Sequence, residues 1–154
     1  MHLVRCPLGT PGLWELLDGI SGDLAAVCSG VLDFDTCDPT NAVAELGGIG
    51  SHFLILNSVV CDKRVSRRQI GRWVAAEAIE AMSPGIELVA ALAAPLDSSE
   101  GAERVAASAK LRNVWASIGF VEVEDRVMVL NPGLRTTYAH LQELRERFGV
   151  ATTS

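Results

Sequence analysis

Five cationic side chains lie between positions 63 and 72 of a chain whose formal net charge is −6. They are Lys63, Arg64, Arg67, Arg68 and Arg72. Such a local excess of positive charge in an acidic protein attracts anions. The same residues lead into a helical pattern, and the first turn of a helix offers free backbone N–H donors at the positive end of its dipole. Arginines beside such donors are suited to a phosphate or pyrophosphate group, whereas the plainer interpretation is a solvated helix start.

Acid–base chemistry has two candidates near this cationic segment (residues 63–72). His52 opens the apolar run that precedes the segment, and Asp62 follows that run. A histidine or a carboxylate within reach of an amine can take up its proton, so these two residues are the predicted catalytic positions. The competing interpretation is that His52 is an ordinary histidine at a strand boundary and Asp62 an ordinary surface carboxylate.

The four cysteines, Cys6, Cys28, Cys37 and Cys61, form no C-x-x-C pair. Their spacing argues against a zinc site and a disulfide framework, and it predicts reduced, mostly buried thiols in a cytoplasmic protein. The N-terminus lacks the pattern of a signal peptide, and no stretch approaches the roughly 20 apolar residues of a membrane span. The net charge of −6 argues against nucleic acid as a partner, because affinity for a phosphate backbone requires a basic surface.

The chain has 154 residues, 49% of them hydrophobic, which suits one compact domain with a real core. Apolar residues at helical spacing predict helices over residues 12–20, 24–32, 41–46, 68–82 and 103–117. A further helix is predicted in the tail, with Thr136 or Thr137 as its cap and Tyr138 as a core residue. Dense apolar runs predict strands over residues 52–61, 86–93, 120–124 and 126–130, with residues 3–6 as a candidate first strand. Residues 33–50 are predicted to be mainly connection, made flexible by the glycines at 47, 48 and 50.

This order of elements is α/β and resembles the GNAT N-acetyltransferases. The resembling segments, which lie within residues 52–132, are HFLILNSVVCDKRVSRRQIGRWVAAEAI, IELVAALAAP and KLRNVWASIGFVEV. Ile118-Gly119-Phe120 stands where the family has an apolar-Gly-Phe step into its penultimate strand. The resemblance implies a single GNAT-like domain, with a mixed central sheet flanked by helices. It divides the chain into a helical acceptor-side region (1–50), an acyl-CoA-binding half (52–132) and a C-terminal helix (135–150).

The phosphate-binding loop of the family reads Arg or Gln, two variable residues, Gly, a variable residue, then Gly or Ala. The matching residues here are Ser66-Arg67-Arg68-Gln69-Ile70-Gly71, of which only Gly71 fits the pattern. Gln69 stands in place of a glycine, so that a side chain projects where a phosphate would approach the backbone most closely. The resemblance implies acetyl-CoA as co-substrate, bound by Val59, Val60, Cys61, Arg67, Arg68, Gln69, Ile70, Gly71 and Arg72.

The activity that the resemblance implies is transfer of an acetyl group to a primary amine of a small molecule or peptide. The alternative is a catalytically inactive GNAT-like module for ligand sensing or protein interaction. Trp115 favours this alternative, because it stands where the family often has a tyrosine that protonates the leaving thiolate. The cationic segment favours a working enzyme. Neither interpretation involves nucleic acid, a membrane or a metal, and a homodimer is left open.

Residues 65–73 also resemble the recognition helix of a helix-turn-helix motif, with Ser66 as the cap. Such a DNA-binding motif requires a short helix and a turn directly before it. The preceding residues 52–62 have a strand-like pattern instead. The acidic balance of the chain is the main feature that separates this interpretation from an acetyl-CoA site.

Overall fold

The computed structural model of the protein describes residues 1–62, 64, 69–96 and 100–149. The strands within these ranges are β1 (His2–Pro7), β2 (His52–Ser58), β3 (Ile86–Leu92), β4 (Val121–Glu124) and β5 (Val127–Leu130). The helices are α1 (Leu13–Asp18), α2 (Gly22–Val31), α3 (Asn41–Ala44), α4 (Ile70–Met82), α5 (Gly101–Ala116) and α6 (Arg135–Phe148). The predicted α/β class is confirmed. Among these helices, none combines the length and the apolar character needed to cross a membrane.

The five strands form one mixed sheet in the order β1-β2-β3-β5-β4. β2 and β3 are parallel, with α4 as the crossover between them, and the other neighbouring strands are antiparallel. The candidate first strand is confirmed as β1, which runs against β2 so that His2 lies opposite Ser58 and Pro7 opposite His52. Because β2 and β3 are parallel, their carboxyl ends meet at the same edge of the sheet.

The central strands direct alternate side chains into two apolar cores, one on each face of the sheet. Phe53 and Ile55 pack with residues of α1 and α2. Leu54 and Leu56 pack with residues of α4, α5 and α6. Burial on both faces explains the continuous apolar run of β2, since each side chain must be apolar whichever face it meets.

Most element boundaries differ from the predicted ones by a residue or two, and three of the differences lie next to the segments that follow β2 and β3. β2 ends at Ser58 although the apolar run continues to Cys61, because its pairing with β3 ends at Leu56 and its pairing with β1 at Ser58. α4 begins at Ile70, directly after the left-handed Gln69, and the predicted start at position 68 lies outside the described residues. α5 begins at Gly101, two residues before the predicted start at position 103. The three residues after Ser58 are therefore released from the sheet on the side where α4 begins.

The start of α6 also differs from the prediction. Thr136 and Thr137 lie inside the helix, and the described residues supply no side-chain cap. Thr137 Oγ1 instead donates to the carbonyl oxygen of Asn131 at 2.9 Å, which ties the helix to the end of β5. The prediction that Tyr138 is a core residue is wrong, because it is 52% exposed. Leu141, one turn further along, is among the residues that α6 buries.

The glycine-rich connection before β2 lies close against the backbone of β3. The N–H of Gly48 donates to the carbonyl oxygen of Glu87 at 2.9 Å, and the N–H of Ser51 donates to that of Gly85 at 3.2 Å. A Cβ atom at Gly50 would stand 2.5 Å from the backbone nitrogen of Glu87. Glycine is needed here for close backbone approach, a reason different from the flexibility that the sequence indicates.

The prediction that the cysteines are mostly buried is confirmed. Cys6, Cys28 and Cys37 are buried with free thiols, and Cys61 is half-buried. Burial raises the pKa of Cys6 to about 11 and that of Cys28 to about 12. These two thiols therefore stay protonated at neutral pH and behave as small apolar core side chains.

Candidate functional site

A cleft opens at the carboxyl ends of β2 and β3, the one parallel pair in the sheet of the described residues. Pairing between these strands ends at Leu56 and Ala91. Beyond that point lie two lobes, of about 370 and 470 Å³, which share Val59, Leu111 and Trp115 as walls. Open α/β sheets bind ligands at the carboxyl ends of parallel strands, where unpaired backbone and loops meet.

The smaller lobe, termed the α4 lobe, lies where Cys61, Gln69, Gly71 and Arg72 come together. Gly71 allows this close approach. A Cβ atom at Gly71 would stand 2.6 Å from the sulfur of Cys61 and 3.5 Å from Cγ1 of Val59. No side chain of the described residues caps α4, and the first turn of a helix carries N–H donors that have no partner within the helix. The lobe therefore joins the end of β2 to the positive end of a helix.

Gly71→Ala should destabilise the protein only while the Cys61 sulfur is present. In the natural background the new methyl group overpacks against that sulfur, and we expect a loss of about 1 kcal/mol in the free energy of unfolding. In a Cys61→Ala background the same change should be neutral or stabilising, because alanine has the higher helix propensity by about 1 kcal/mol. Urea unfolding of the two single variants and the double variant measures this coupling. Equal effects of Gly71→Ala in both backgrounds would contradict the contact.

Gln69 adopts a left-handed backbone, with φ 62° and ψ 11°, directly before α4. Glycine reaches this conformation freely, whereas another residue loses about 1 kcal/mol or more. Gln69 stands where the phosphate-binding loop of the GNAT family has glycine, and its backbone adopts a conformation typical of glycine. The Oε1 atom of Gln69 accepts hydrogen bonds from Arg72 Nη2 at 2.7 Å and from Arg147 Nη1 at 2.6 Å.

Arg72 and Arg147, termed the arginine pair, thus approach one neutral oxygen. Arg72 also donates from Nη1 to Ser117 Oγ at 2.8 Å, and its buried Nε has no partner among the described residues. Burial, followed by the charge of Arg147, lowers the pKa of Arg72, while Glu143 acts in the opposite direction. Neither arginine belongs to an ion pair between described residues. The pair therefore leaves a positive field that an anion would neutralise.

Contacts between α4 and α6 bring Arg147 to this position. Arg145 donates from Nε and Nη2 to the two carboxylate oxygens of Glu77, at 2.8 and 2.7 Å. Trp73 donates from Nε1 to the same carboxylate at 2.9 Å, and its ring stacks on Phe148 with centroids 4.9 Å apart. Arg147 lies in the chain between Arg145 and Phe148, so these contacts hold its helix turn against α4.

Glu77→Gln should lower stability at neutral pH and have little effect in acid. The hydrogen bond from Arg145 lowers the pKa of Glu77; desolvation opposes this, and the bond from Trp73 adds to it. Because the pKa of Glu77 is lower in the folded chain than in the unfolded chain, its ionised carboxylate stabilises the fold at pH values above the unfolded-state pKa. This stabilisation is lost as the pH falls through the folded-state pKa. We expect a difference on the order of 1 kcal/mol at pH 7.

Urea unfolding of wild type and Glu77→Gln, from pH 7 down to about pH 3, measures this difference. Glu124→Gln, at an exposed position of β4 that belongs to no ion pair between described residues, is the matched control and should show little effect throughout. A Glu77→Gln effect that stays constant across the series would show that the carboxylate charge is not what holds α6 to α4.

The structure does not bring the two predicted catalytic residues together at the cleft. His52 opens β2, roughly 20 Å from the cleft end of that strand at about 3.3 Å per residue. Its Nδ1 lies 3.0 Å from Ser51 Oγ. Asp62 lies near the cleft, but its exposed carboxylate is bound by Arg64, with 3.0 Å between Nη2 and Oδ2. Hydrogen bonds from Arg64 lower the pKa of Asp62, which makes it a weaker base.

The predicted acetyl-CoA contacts are distributed unevenly around the cleft. Those that line the α4 lobe are Val59, Cys61, Gln69, Gly71 and Arg72. Val60 is 73% exposed, and Ile70 is the first residue of α4; neither is a wall of the two lobes. Arg67 and Arg68 lie outside the described residues.

Four polar residues in or beside the cleft are not among the predicted site residues. Asn57 and Lys110 line the larger lobe, termed the strand lobe. Nδ2 of Asn57 lies 3.0 Å from Nδ1 of His2, which reaches this edge because β1 runs antiparallel to β2. Arg147 reaches the α4 lobe from the last helix. His2 directly precedes the candidate first strand (residues 3–6), but its partner depends on a pairing register that the sequence does not show.

Trp115 separates the two lobes and is buried, with its ring centroid 6.0 Å from that of Phe120. An indole has no proton that titrates in water, so Trp115 cannot protonate a leaving group. No protein-family model matches the chain, and no curated protein or solved structure does either. What the cleft can bind is therefore inferred from its own residues: a helix start, an arginine pair and a polar cluster along one mainly apolar channel.

Proposed function

We propose that the protein is an acetyl-CoA-dependent N-acetyltransferase with a GNAT-like fold, acting on a primary amine of a small molecule or peptide. The observation that carries the proposal is the continuity of the cleft. Its adjoining lobes place an apolar channel, a helix start and the arginine pair along one path. Acetyl-CoA carries, in order along its length, a thioester, a long amide-containing arm and a pyrophosphate. The apolar channel suits the thioester and the arm, and the helix start with the arginine pair suits the pyrophosphate.

The α4 lobe supports the pyrophosphate end of this ligand. Oε1 of Gln69 already accepts from both members of the arginine pair, at 2.7 and 2.6 Å. A phosphoryl oxygen that replaced this amide oxygen would gain two charge-assisted hydrogen bonds, each stronger than a bond to a neutral acceptor. The first-turn N–H groups of α4 would add donors from the same side. Gln69 is thus a removable neutral occupant of an anion position.

The strand lobe supports the thioester end. β2 and β3 no longer pair beyond Leu56 and Ala91, so their next backbone groups are open to the amides of an extended arm. Leu92, Leu111 and Trp115 supply apolar walls for the methylene groups between those amides. An extended ligand between two separating strands satisfies polar backbone that the sheet leaves unpaired.

His2 replaces His52 as the candidate general base. When the amide of Asn57 turns its oxygen towards Nδ1–H of His2, Nε2 is the unprotonated, basic nitrogen. Nε2 can then take a proton from the acceptor amine as its nitrogen attacks the thioester carbonyl carbon. The new C–N bond forms, the C–S bond breaks, and the departing CoA thiolate takes up a proton from water. Positioning of the two substrates supplies much of the remaining rate.

A second candidate function is acyl-CoA binding without transfer, as in a sensing or interaction module. Trp115 favours it, because an indole stands at the wall where the resemblance places a proton-donating tyrosine. The two candidates use the same cleft and differ only in turnover.

Titration calorimetry with acetyl-CoA, on the full chain, tests the proposal. We expect saturable binding, and binding of free CoA that retains most of the affinity because the pyrophosphate supplies the charged contacts. Absence of heat at millimolar acetyl-CoA would overturn both candidate functions. Incubation with acetyl-labelled acetyl-CoA and a panel of primary amines then separates them. Label on an amine supports the enzyme, whereas binding with no transfer across the panel leaves the sensing module.

A further inference from the structure

A second polar groove, of about 340 Å³, lies between α5 and the β4–β5 hairpin. The charged and polar residues that line this α5 groove are Arg104, Ser108 and Arg112 of α5 and Asp125 and Arg126 of the hairpin turn, so three cations and one carboxylate face it. It uses a different flank of α5 from the cleft, whose walls include Lys110 and Leu111. The groove is thus a separate surface, and nothing about it depends on the proposed transferase activity.

Ser108 is the most unusual residue of the groove. It is 2% exposed, and its Oγ has no hydrogen-bond partner among the described residues. A serine within a helix commonly donates back to the carbonyl four residues earlier, which here would be that of Arg104. An unpaired buried hydroxyl is unfavourable, and the large majority of such groups in proteins have a partner. The Ser108 oxygen has almost no accessible surface where it stands, but rotation of the side chain about its Cα–Cβ bond would turn the hydroxyl to the groove wall, where a bound molecule could satisfy it.

Positive charge accompanies this hydroxyl. Arg104, one helical turn before Ser108, belongs to no ion pair between the described residues. Arg112, one turn after it, donates from Nη1 to Glu122 at 3.1 and 3.2 Å from the two carboxylate oxygens, and to no other side chain among the described residues. A guanidinium has five N–H donors, so Arg112 has donor capacity beyond this bond.

Arg126 completes the cationic walls from the hairpin. Its φ of 70° lies in the left-handed region, which turns usually fill with glycine or asparagine. The N–H of Arg126 donates to Glu122 Oε1 at 3.0 Å, and its Nη2 donates to the exposed Asp125 at 3.2 Å. Arg126 therefore brings a further cation to the groove from the hairpin side.

We propose that the α5 groove binds the phosphate of a small phosphomonoester. Such a group carries close to two negative charges at neutral pH and three acceptor oxygens, which suits the Ser108 hydroxyl together with Arg104 and Arg126. A carboxylate offers fewer oxygens and half the charge. A nucleic acid is disfavoured, because the chain as a whole carries a net charge of −6.

Inorganic phosphate is the probe, titrated into the ¹⁵N-labelled full chain while amide shifts are followed by NMR. The expected result is a saturable shift of amides in α5 and the hairpin turn. Ser108→Ala should fold at least as stably as wild type, because it removes an unpaired buried hydroxyl, yet it should bind phosphate about tenfold more weakly. Arg104→Gln should weaken binding by a similar factor.

Two controls define the chemistry and the place. Sodium acetate at equal ionic strength should give no saturable shifts in α5. The same phosphate titration of a chain with Arg72→Gln and Arg147→Gln should retain the α5 shifts, since the cleft is separate. The proposal would be overturned if Ser108→Ala kept the wild-type affinity for phosphate, or if acetate gave equal saturation. It would also be overturned if the α5 shifts disappeared in the chain that lacks both Arg72 and Arg147.

Discussion

Replacing both Arg72 and Arg147 with glutamine should weaken acetyl-CoA binding by about a hundredfold, and either single replacement by about tenfold. Each arginine places a guanidinium nitrogen within 2.7 Å of the same Gln69 oxygen, which is where the proposal puts a phosphoryl oxygen. A hydrogen bond between a phosphate and a guanidinium is worth roughly 1.5–3 kcal/mol. Glutamine keeps a polar end but removes the charge, so the loss should be concentrated in binding.

Calorimetric titration with acetyl-CoA at low and at high salt measures this loss, and removal of the pair should also reduce the salt dependence of binding. Arg135→Gln makes the same chemical change at an exposed position of α6 and should leave the affinity unchanged. Gln69→Gly should maintain or improve binding, because it removes the neutral occupant and relieves a left-handed backbone. Wild-type affinity in the double arginine variant would place the pyrophosphate elsewhere.

Gly50→Ala should lower the free energy of unfolding by about 3 kcal/mol or more. The added Cβ would stand 2.5 Å from the nitrogen of Glu87, 2.7 Å from the carbonyl carbon of Ile86 and 2.8 Å from the oxygen of Gly85. All three are backbone atoms at the start of β3, so no side-chain rotation can relieve the contact. Either the connection or a central strand of the sheet must move.

Gly22→Ala is the matched control, since a Cβ atom there meets nothing within 4 Å. Gly22 is the first residue of α2, where alanine should be neutral or slightly stabilising. Urea unfolding followed by far-ultraviolet circular dichroism measures both variants. Similar midpoints for Gly50→Ala and Gly22→Ala would show that the backbone of β3 yields easily at this point.

The order of helices and strands could be predicted from the sequence, because the spacing of apolar residues reflects which faces of each element are buried. The runs of β2 and β3 have no polar face, so a two-sided core follows from their composition alone. The end of β2 was less predictable. Val59 and Cys61 continue the apolar run, but they line a cleft instead of pairing in the sheet.

The candidate site combines residues that are close in sequence with residues that are not. Gly71 and Arg72, two of the predicted acetyl-CoA contacts, line the α4 lobe, and the strand–loop–helix pattern that leads to them is continuous in sequence. His52 could have been excluded with the same pattern, since ligands meet the carboxyl ends of parallel strands and His52 opens β2. Asp62 is near the right end, but its pairing with Arg64 depends on side-chain geometry that spacing does not reveal.

The remaining site residues come from distant parts of the chain. His2 reaches the cleft only through the antiparallel register of β1 with β2, and Arg147 only through the packing of α6 on α4. Neither contact leaves a local pattern. The left-handed backbone of Gln69 is hidden for a different reason, because glutamine is not a residue that predicts this conformation.

The shared tryptophan wall gives the protein an optical reporter of its own. The chain has three tryptophans, of which Trp14 lies beside Phe34 and Trp73 stacks on Phe148, while Trp115 separates the two lobes. Indole emission responds to the polarity around the ring. In a chain that retains only Trp115, the fluorescence emission maximum should shift when a ligand enters either lobe and should not shift when one binds in the α5 groove. The emission wavelength can therefore distinguish the two sites without any label.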